Sequence, residues 1–421
     1  MADNGVVTAG GRLTDWVSLG VLAAFVPRDA VDDAVAAAGR QARRSDGKLP
    51  PHVMVYFVMA LALFDDDYEE VAARLTETLT AWGCWDDSWS VPTSGGITQA
   101  RQRLGYEPVK KLFAGVAAPV AEELTAGAFL GPWRLMAIDG FEWDAPDTPE
   151  NAAAFGFAGT AADDPGRPAY PKVRVVTVSE CASHAVADAA MGAVAGKGAG
   201  EQSLARELYR RLEDDWLLIA DRNFFNWADW CTAADTGAQL LWRVKADLTL
   251  PALALLPDGS YSSVLVNPKI RGKARKAVLE AARGGQDLDE DQARYVRVVE
   301  YEVPDRDGDG KGEVIALVTT ITAMTAAAAP LLAEAYHQRW EHETGNAQLK
   351  TSLRGPGKVL RSKSPDMVRQ EIYGYLLTHY ALSALICRAA TEAGIDPDRV
   401  KFKRTVRIVR RRAADPAAFP P

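Results

Sequence analysis

The sequence predicts a mixed α/β protein that begins with a helical region and contains a β-rich insertion. Residues 1–128 have apolar side chains at three- and four-residue spacing, as at Val71, Leu75 and Leu79, which is typical of amphipathic helices. From Trp133 onward, short apolar runs of strand length alternate with helical patterns. A chain of 421 residues also exceeds the roughly 250 to 300 that one hydrophobic core usually organises, so we expect several domains.

Two segments of the helical region carry specific predictions. The apolar run 53–64 is 12 residues long, whereas a membrane span needs about 20, so this run predicts a core helix. Thr93 can cap a short helix over 97–104. That helix carries four long polar side chains: Gln99, Arg101, Gln102 and Arg103. Such side chains suit base edges and phosphates, but they are equally typical of a solvated helix face, and both interpretations stay open.

The core is predicted from three strand-like runs at 133–139, 172–179 and 216–221, with a helical pattern over 201–212 before the third. After several further strand patterns, the helical pattern returns near residue 326, and the basic tail from residue 401 is strand-like or irregular. The expected organisation is a helical N-terminal domain at 1–128, a core in two parts at 129–239 and 326–395, a β-rich insertion at 240–325, and a basic tail at 396–421.

Composition and charge narrow the class of protein. With 48% hydrophobic and 25% charged residues, the chain is neither disordered nor fibrous. Its net charge is −8, but residues 350–421 hold 15 Lys/Arg and 6 Asp/Glu, a local +9 against −17 for the rest. Such an uneven distribution favours a polyanionic partner at the C-terminal end. The N-terminus lacks the charged start and apolar stretch of a secretory signal, so we expect a cytoplasmic protein without membrane contact.

Acidic residues follow two of the predicted strands, Asp139 in LMAIDG and Asp221 in LLIADRN. The ends of strands are where α/β sheets carry their functional groups, although strand-terminal aspartates also cap turns. A third group stands at offsets 0, 3, 7 and 14: Tyr336, Arg339, Glu343 and Lys350. On one continuous helix these four side chains fall within a sector of about 60°. A carboxylate between cations suits a metal ion beside a phosphate, while an ordinary surface with ion pairs is the alternative.

These residues carry a resemblance to the insertion-sequence-four group of bacterial transposases, whose signature Y-x2-R-x3-E-x6-K is matched at all four positions. The stretch 137–156 is similar to the region around that family's first catalytic aspartate, and 220–227 to the region around its second. The resemblance extends over ITQARQRLG at 97–105, GKGAGEQSLA at 196–205 and the segment 353–377. It implies a DDE-type transposase with Asp139, Asp221 and Glu343 as catalytic, metal-binding acids and with Tyr336, Arg339 and Lys350 in supporting roles.

The resemblance further implies a ribonuclease H-like catalytic core interrupted by a β-rich insertion. The 122 residues between Asp221 and Glu343 fit this, since the insertion lies between them. The three carboxylates would hold two Mg²⁺ ions, with Mn²⁺ as a substitute, about 3.5 to 4 Å apart for phosphodiester transfer. Gly345, in the helix after Glu343, is expected to weaken that helix by roughly 1 kcal/mol.

The expected activity is cutting at insertion-sequence ends and joining of the 3′ ends to target DNA. Double-stranded DNA is the expected partner, bound by a homodimer, since the family pairs two ends. A non-catalytic DNA-binding protein derived from such an enzyme and a simple metal-dependent nuclease are the alternatives. The residues expected to contact DNA are Gln99, Arg101, Arg103, Lys273, Arg275, Lys350, Arg354, Arg361, Arg410, Arg411 and Arg412.

Two other patterns predict less. Asp305, Asp307 and Asp309 resemble the start of a calcium loop, but Ala316 stands at the twelfth position, where a bidentate Glu is required, so we expect a polar hairpin turn. The five histidines show no ligand spacing along the chain.

Overall fold

The computed structural model describes residues 20–42, 49–81, 90–159, 168–245, 248, 250–303 and 313–412. Two compact units share the chain. The first unit comprises 1–117, 348–385 and 401–421, and the second comprises 118–347 and 386–400. The first unit therefore combines the N-terminal helices with C-terminal segments, an arrangement that the expected division into consecutive domains does not contain. The turn expected at 304–312 lies outside the described residues.

The helices of the first unit precede and follow the second unit along the chain. The helices that precede it are α1 (Gly20–Phe25), α2 (Arg28–Ala37), α3 (Pro51–Leu63), α4 (Tyr68–Ala81), α5 (Ser94–Leu104) and α6 (Glu107–Val116). In the second unit lie α7 (Pro149–Phe155), α8 (Glu201–Tyr209), α9 (Trp227–Ala234), α10 (Gly272–Arg283), α11 (Ala329–His337) and α12 (Arg339–Ala347). A π-helical turn (Gln348–Leu353), α13 (Pro365–Glu392), a 3₁₀ turn (Pro397–Arg399) and α14 (Phe402–Arg412) complete the chain.

Helix α3 is the apolar run predicted as a core helix, and it is buried on nearly every side. Its partner in the first unit is α13, where Gly374 permits close backbone approach. A Cβ at Gly374 would lie 2.7 Å from the carbonyl oxygen of Val58, and Thr378 Oγ1 donates a 2.9 Å hydrogen bond to the carbonyl of Met59. This tight packing explains why a C-terminal helix belongs to the N-terminal unit. Within the described residues, no helix is long and apolar enough to cross a membrane.

All the strands of the second unit form one sheet. They are β1 (Phe129–Leu130), β2 (Trp133–Asp144), β3 (Lys172–Glu180), β4 (Val186–Ala193), β5 (Trp216–Ala220), β6 (Gln239–Arg243), β7 (Ala254–Leu255), β8 (Tyr261–Val266), β9 (Ala293–Val303) and β10 (Glu313–Thr319). The order is β4-β3-β2-β5-β6-β10-β9-β8-β7, with β1 on β2. β2, β5 and β6 are parallel, and the other pairings are antiparallel. The three predicted core strands and helix α8 are confirmed.

The β-rich insertion extends the same sheet, since β10 pairs with β6 and leads to β9, β8 and β7. Lys273 and Arg275, two of the residues expected to contact DNA, lie in the first turn of helix α10, which begins at Gly272. Helix α10 packs on β8 through a small apolar cluster that contains Val264 and Ala282. Amphipathic spacing over the longer segment 272–283 therefore outweighs the local run of cations.

Alternating side chains of the sheet bury two apolar layers. Met136 and Ile138 of β2 face a cluster that includes Leu208 of α8 and Trp230 of α9. Leu135 and Ala137 face the opposite cluster, which α11 covers. Successive residues of a strand point to opposite faces, so the second unit has a sheet between two helical layers.

The basic tail was expected to be strand or irregular, and this prediction was wrong, because 402–412 is helix α14. Phe402, Val406 and Val409 are buried at offsets 0, 4 and 7, which is the spacing of one helix face. β-Branched residues such as Val406 favour strands locally, but packing of this face decides the structure.

Candidate active site

Asp139 and Asp221 occupy equivalent positions on neighbouring parallel strands. In the register of β2 and β5, Ile138 pairs with Ala220, and each aspartate is the next residue along its chain. Neighbouring strands lie about 4.8 Å apart, so the two aspartates are lateral neighbours. Asp221 directly follows β5, as predicted. The prediction that Asp139 ends a strand was wrong, because β2 continues to Asp144 in its pairing with β3.

The carboxylate of Asp139 is largely buried among charged groups. Its Oδ1 accepts a 2.8 Å hydrogen bond from the backbone N–H of Gly140. Burial raises the pKa of Asp139 to about 6. Glu201 and Glu343 act in the same direction, whereas Arg339 and the Gly140 N–H oppose it. A buried carboxylate with so little compensation is suited to binding a cation or a proton.

Glu343 belongs to α12, which packs against β2. Its Oε1 forms a 2.8 Å ion pair with Nη1 of Arg339, one turn earlier on the same helix. The Arg339 side chain is almost fully buried, while that of Glu343 is about 39% exposed. Asp221 also acts electrostatically on the Arg339 guanidinium. Arg339 therefore directs the Glu343 carboxylate and contributes positive charge near all three acids.

Tyr336 lies in the last turn of α11 and is buried in the apolar layer beneath α11. Its ring centroid lies 5.9 Å from the guanidinium carbon of Arg339, within cation–π range. Burial raises the pKa of the Tyr336 hydroxyl to about 12, so the phenol stays protonated near neutral pH. Tyr336 therefore supports the Arg339 guanidinium with its ring.

The predicted single helix face for the four signature residues was wrong. Helix α11 ends at His337, α12 begins at Arg339, and the backbone changes to a π-helical turn at Gln348. An angle of 100° per residue does not hold across either junction, because each changes the helical rotation. Lys350 lies in the π-helical turn and belongs to the first unit, half-buried.

Gly345 has a packing role in α12. A Cβ at Gly345 would lie 3.3 Å from the Cβ of His184, which is tighter than most contacts between side chains. The helix-weakening effect expected from this glycine is thus accompanied by close approach of α12 to the turn that contains His184.

Glu201, the first residue of α8, is an acid of this site that the sequence did not single out. Its Oε1 lies 2.7 Å from the position that a Cβ on Gly140 would occupy, so the carboxylate rests against the backbone beside Asp139. Burial raises the pKa of Glu201, Arg174 opposes the rise, and Glu142 and Asp221 add to it. The only available signal was its place inside the GKGAGEQSLA stretch of the resemblance.

A second polar cluster joins His184, Glu341 and Asp398. His184 Nε2 lies 3.3 Å from Glu341 Oε2 and 3.2 Å from Asp398 Oδ1. Burial lowers the pKa of His184, but hydrogen bonds to Asp398 and Glu341 outweigh it and raise the pKa to about 9. His184 also has a positive φ of 60°. The three residues are distant in sequence, so no ligand spacing could reveal this cluster.

The two acidic clusters differ in compactness. In the part of the chain that the structure describes, His184, Glu341 and Asp398 form the one group of three potential metal ligands whose donor atoms all lie within 4.8 Å of one another. The donor atoms of Asp139, Asp221 and Glu343 do not meet that limit together. In the second cluster a protonated imidazole offsets part of the charge of two carboxylates. In the first, Arg339 is the cation that acts on Asp139.

Helix α5 divides the expected DNA-contacting residues into two faces. Gln99 and Arg103 are exposed, at the i, i+4 spacing of one face. Arg101 is fully buried, and its guanidinium donates to Gln370 Oε1 at 2.9 Å and to Ser362 Oγ at 3.2 Å. The expectation that Arg101 reads a base edge was therefore wrong, because its donors are used inside the first unit.

The remaining expected DNA contacts also differ in exposure. Arg361 donates to the carbonyls of Phe64 and Asp66, both at 2.7 Å, and so caps the C-terminal end of α3. The exposed cations are Lys273 and Arg411, and the half-buried ones are Arg275, Arg354 and Arg410. The side chain of Arg412 lies outside the description.

Comparison with known proteins gives consistent matches. A family model described as insertion element 4 transposase N-terminal matches residues 16–114, and one described as transposase DDE domain matches residues 132–380. The transposase InsG for insertion sequence element IS4 of Escherichia coli (strain K12) is 28% identical over 372 residues, 86% of this chain and 76% of that protein. The putative transposase InsZ of the same organism is 27% identical over 199 residues, 47% of this chain and 62% of that protein.

Among solved structures, the cryo-EM structure of the piggyBac transposase synaptic complex with hairpin DNA is similar with a TM-score of 0.45 and 10% identity. The similarity covers 94% of this chain and 79% of that one.

Proposed function

Because the chain belongs to the family of DDE transposases, we propose that it cuts DNA at the ends of an insertion sequence and joins the freed 3′ ends to target DNA, using Asp139, Asp221 and Glu343. One observation carries this assignment of residues. Asp139 on β2 and Asp221 directly after the parallel strand β5 are lateral neighbours, and the helix that bears Glu343 packs against β2. The same arrangement supports a ribonuclease H-like core, in which the strands β7–β10 are the insertion.

The family implies use of a divalent metal, and the donor set fits a hard cation. Carboxylate oxygens are the ligands that Mg²⁺ prefers, and burial has already raised the pKa of Asp139 to about 6, so a cation would replace a missing counter-charge. Asp139, Asp221 and Glu343 would hold the metal, and Glu201 is close enough to tune the site. When bound, two Mg²⁺ or Mn²⁺ ions would activate the attacking oxygen and stabilise the leaving oxygen.

Side chains near the three acids orient the carboxylates and neutralise negative charge. Arg339 directs Glu343 through their 2.8 Å ion pair, and its cation offsets the charge that develops on the scissile phosphate. Tyr336 holds the Arg339 guanidinium in place through the cation–π contact with its ring. Lys350 is assigned to a phosphate oxygen of the DNA, a role that a flexible ammonium can fill from a separate segment. Pairing of two element ends calls for a dimer on DNA.

The test uses DNA that carries the sequences flanking this protein's own gene, with Mg²⁺. Wild-type protein should nick and then join these ends, while Asp139→Ala and Asp221→Ala should bind the same DNA without cutting it. Asp147→Ala is the matched control, since Asp147 is exposed in the loop after β2. Cutting by either aspartate variant at the wild-type rate would refute the assignment.

A further inference from the structure

The first unit contains a cavity of about 130 Å³ whose lining includes four cationic side chains. It is bounded by the segment after the π-helical turn, by the C-terminal end of α3 and by α14. The cationic side chains in its lining are Arg354, Lys358, Arg361 and Arg410, and the acidic one is Asp65. One water molecule takes about 30 Å³ of liquid, so the cavity has room for a small oxyanion group.

Two of these cations are already used by the protein. Lys358 forms an ion pair with Asp65. Arg361 donates to the carbonyls of Phe64 and Asp66 after α3, both at 2.7 Å. Neither side chain requires a ligand, and Asp65 is largely neutralised by Lys358.

Arg410 is different, because its guanidinium is only partly satisfied by the protein. Its Nε is buried, and no acceptor among the described residues reaches it. Burial lowers the pKa of Arg410, although Asp65 and Tyr375 oppose the change. The lining holds four cationic side chains against one acidic one, so the wall of the cavity carries a formal surplus of positive charge.

The backbone around the cavity has unusual features that shape it. Arg354 directly follows the π-helical turn, a conformation that is rare and often occurs at functional sites. Gly355 has φ of +98°, and a Cβ there would lie 3.0 Å from Lys358 Cε, so only glycine fits this turn. Helix α14 packs against the π-helical turn, and in this way Arg354 and Arg410 come to line one cavity.

The positive surface continues outward along α14. This helix contains no acidic residue, and its exposed cations are Lys403, Arg404, Arg407 and Arg411. Their offsets of 0, 1, 4 and 8 residues fall within a sector of about 100° opposite the buried apolar face. A single polyanion lying along α14 would therefore also reach the cavity.

We propose that this cavity binds one backbone phosphate of the DNA duplex on which the transposase acts, with Arg354 and Arg410 as its principal donors. The proposal rests on the proposed function, which supplies the DNA. A guanidinium fork matches the oxygens of a phosphate. Because every nucleotide carries the same phosphate, the contact is independent of sequence and fixes the register of the duplex.

The test is a scan of single neutral methylphosphonates along an element-end duplex, with binding measured by fluorescence anisotropy for the full chain. For wild-type protein, one position should weaken binding markedly, by about tenfold. For Arg410→Met, which keeps the apolar stem, binding to the unmodified duplex should fall by about tenfold, and the methylphosphonate at that position should cause no further loss. Arg410→Lys should recover part of the affinity, because the charge remains.

Arg411→Ala is the matched control, because Arg411 is the exposed neighbour. It should weaken binding in a salt-dependent way but keep the methylphosphonate-sensitive position. Thermal unfolding of each variant checks the fold. If Arg410→Met is folded and binds as tightly as wild type, or loses affinity with the sensitive position unchanged, the proposal is wrong. Stabilisation by inorganic phosphate that disappears in Arg410→Met, without loss of DNA binding, would assign the cavity to free phosphate instead.

Failure of the proposed function has a different signature. If wild-type protein does not bind element ends in a fixed register, the assigned activity fails before the cavity is tested. Loss of cutting with an intact methylphosphonate pattern would concern the acids of the second unit alone.

Discussion

Each of the two units gathers like charges in one place, and the signs are opposite. In the second unit, burial raises the pKa of Asp139 to about 6 and raises that of the nearby Glu201. In the first unit, burial lowers the pKa of Arg410 beside three other cations. In both places the protein supplies too little counter-charge, so the ionised form is disfavoured until a ligand of opposite sign arrives.

Other buried charged side chains have hydrogen-bond or ion-pair partners within the protein. Arg101 is fully buried, but Gln370 and Ser362 accept from its guanidinium. His184 is buried between two carboxylates, and its pKa is raised, toward the charged form. The comparison teaches that burial of a charge does not identify a ligand site, whereas burial without a compensating partner does.

The largest effect should separate two glutamates on α12. Glu343→Gln should lower cleavage roughly a thousandfold or more, because the site loses an oxygen ligand with full charge, with DNA binding nearly unchanged. Glu341→Gln, two residues earlier, should keep cleavage within about tenfold and lower the thermal stability, since Glu341 pairs with His184. Single-turnover cleavage and thermal unfolding of both variants decide this. If both variants lose cleavage equally, the prediction is wrong and the two clusters act as one functional site.

The second prediction contrasts two arginines of α5. Arg101→Met should destabilise the protein by about 2 to 4 kcal/mol, because Gln370, Ser362 and Tyr68 lose a buried charged partner. Arg103→Ala should change stability by less than about 0.5 kcal/mol, since its side chain is exposed. Urea unfolding measures both.

DNA binding by the same pair has the opposite expectation. Arg103→Ala should weaken binding to element ends, and more than to scrambled duplex if Arg103 contacts a base. A folded Arg101→Met protein should bind as wild type does. If a fully stable Arg101 variant loses specific binding, the prediction is wrong and Arg101 contacts DNA.

These contrasts show where sequence reasoning succeeds. The strands that carry Asp139 and Asp221 are apolar runs of ordinary length, and local pattern suffices to find them. The signature around Tyr336, Arg339 and Glu343 identifies the residue types, while their catalytic roles stay predictions. Helix breaks at Gln338 and Gln348 could not be predicted, because glutamine is a good helix former and gives no local signal for the end of a helix.

Tertiary partners explain the remaining differences. Arg101 was expected to contact DNA. Its partner Gln370 lies 269 residues away along the chain, so no local sequence pattern shows that Arg101 is buried. Helix α14 was expected to be strand or irregular, because its β-branched residues favour strands locally, and burial of Phe402, Val406 and Val409 decides for the helix. The His184 cluster likewise forms only when three distant segments meet.

The third prediction tests the cost of the acidic site. Asp139→Asn should stabilise the metal-free protein at pH 7 by about 1 to 3 kcal/mol, since one unit of pKa corresponds to about 1.4 kcal/mol. The pKa is about 6 in the folded state against 3.8 in the unfolded state, so the stability lost to this carboxylate develops as pH rises from 3.8 and is complete above pH 6. The gain should shrink from pH 6 to pH 4, where both states bind the proton.

Urea unfolding at pH 4, 5.5 and 7 with a chelator present measures this gain, and Asp147→Asn is the exposed control. Saturating Mg²⁺ should reverse the order of stability, because only the wild-type site binds the cation well. A destabilised Asp139→Asn protein at pH 7 would mean that the carboxylate is compensated like Arg101.

The smallest effect concerns the compensated cluster. The pKa of His184 is raised from 6.5 to about 9 by its hydrogen bonds to Asp398 and Glu341, so its contribution to stability is complete below pH 6.5 and is lost as pH rises through 9. The magnitude should be on the order of 1 kcal/mol, because both carboxylates are about one-third exposed and partly screened.

His184→Asn is the appropriate variant, since asparagine tolerates the positive φ of 60° at this position. The neighbouring Cys181 does not interfere, because burial raises the pKa of its thiol above this window. Urea unfolding at pH 6, 7.5 and 9 should show the stability gap between wild type and His184→Asn closing as pH rises. A gap that stays constant would mean that His184 contributes by packing against Gly345 alone.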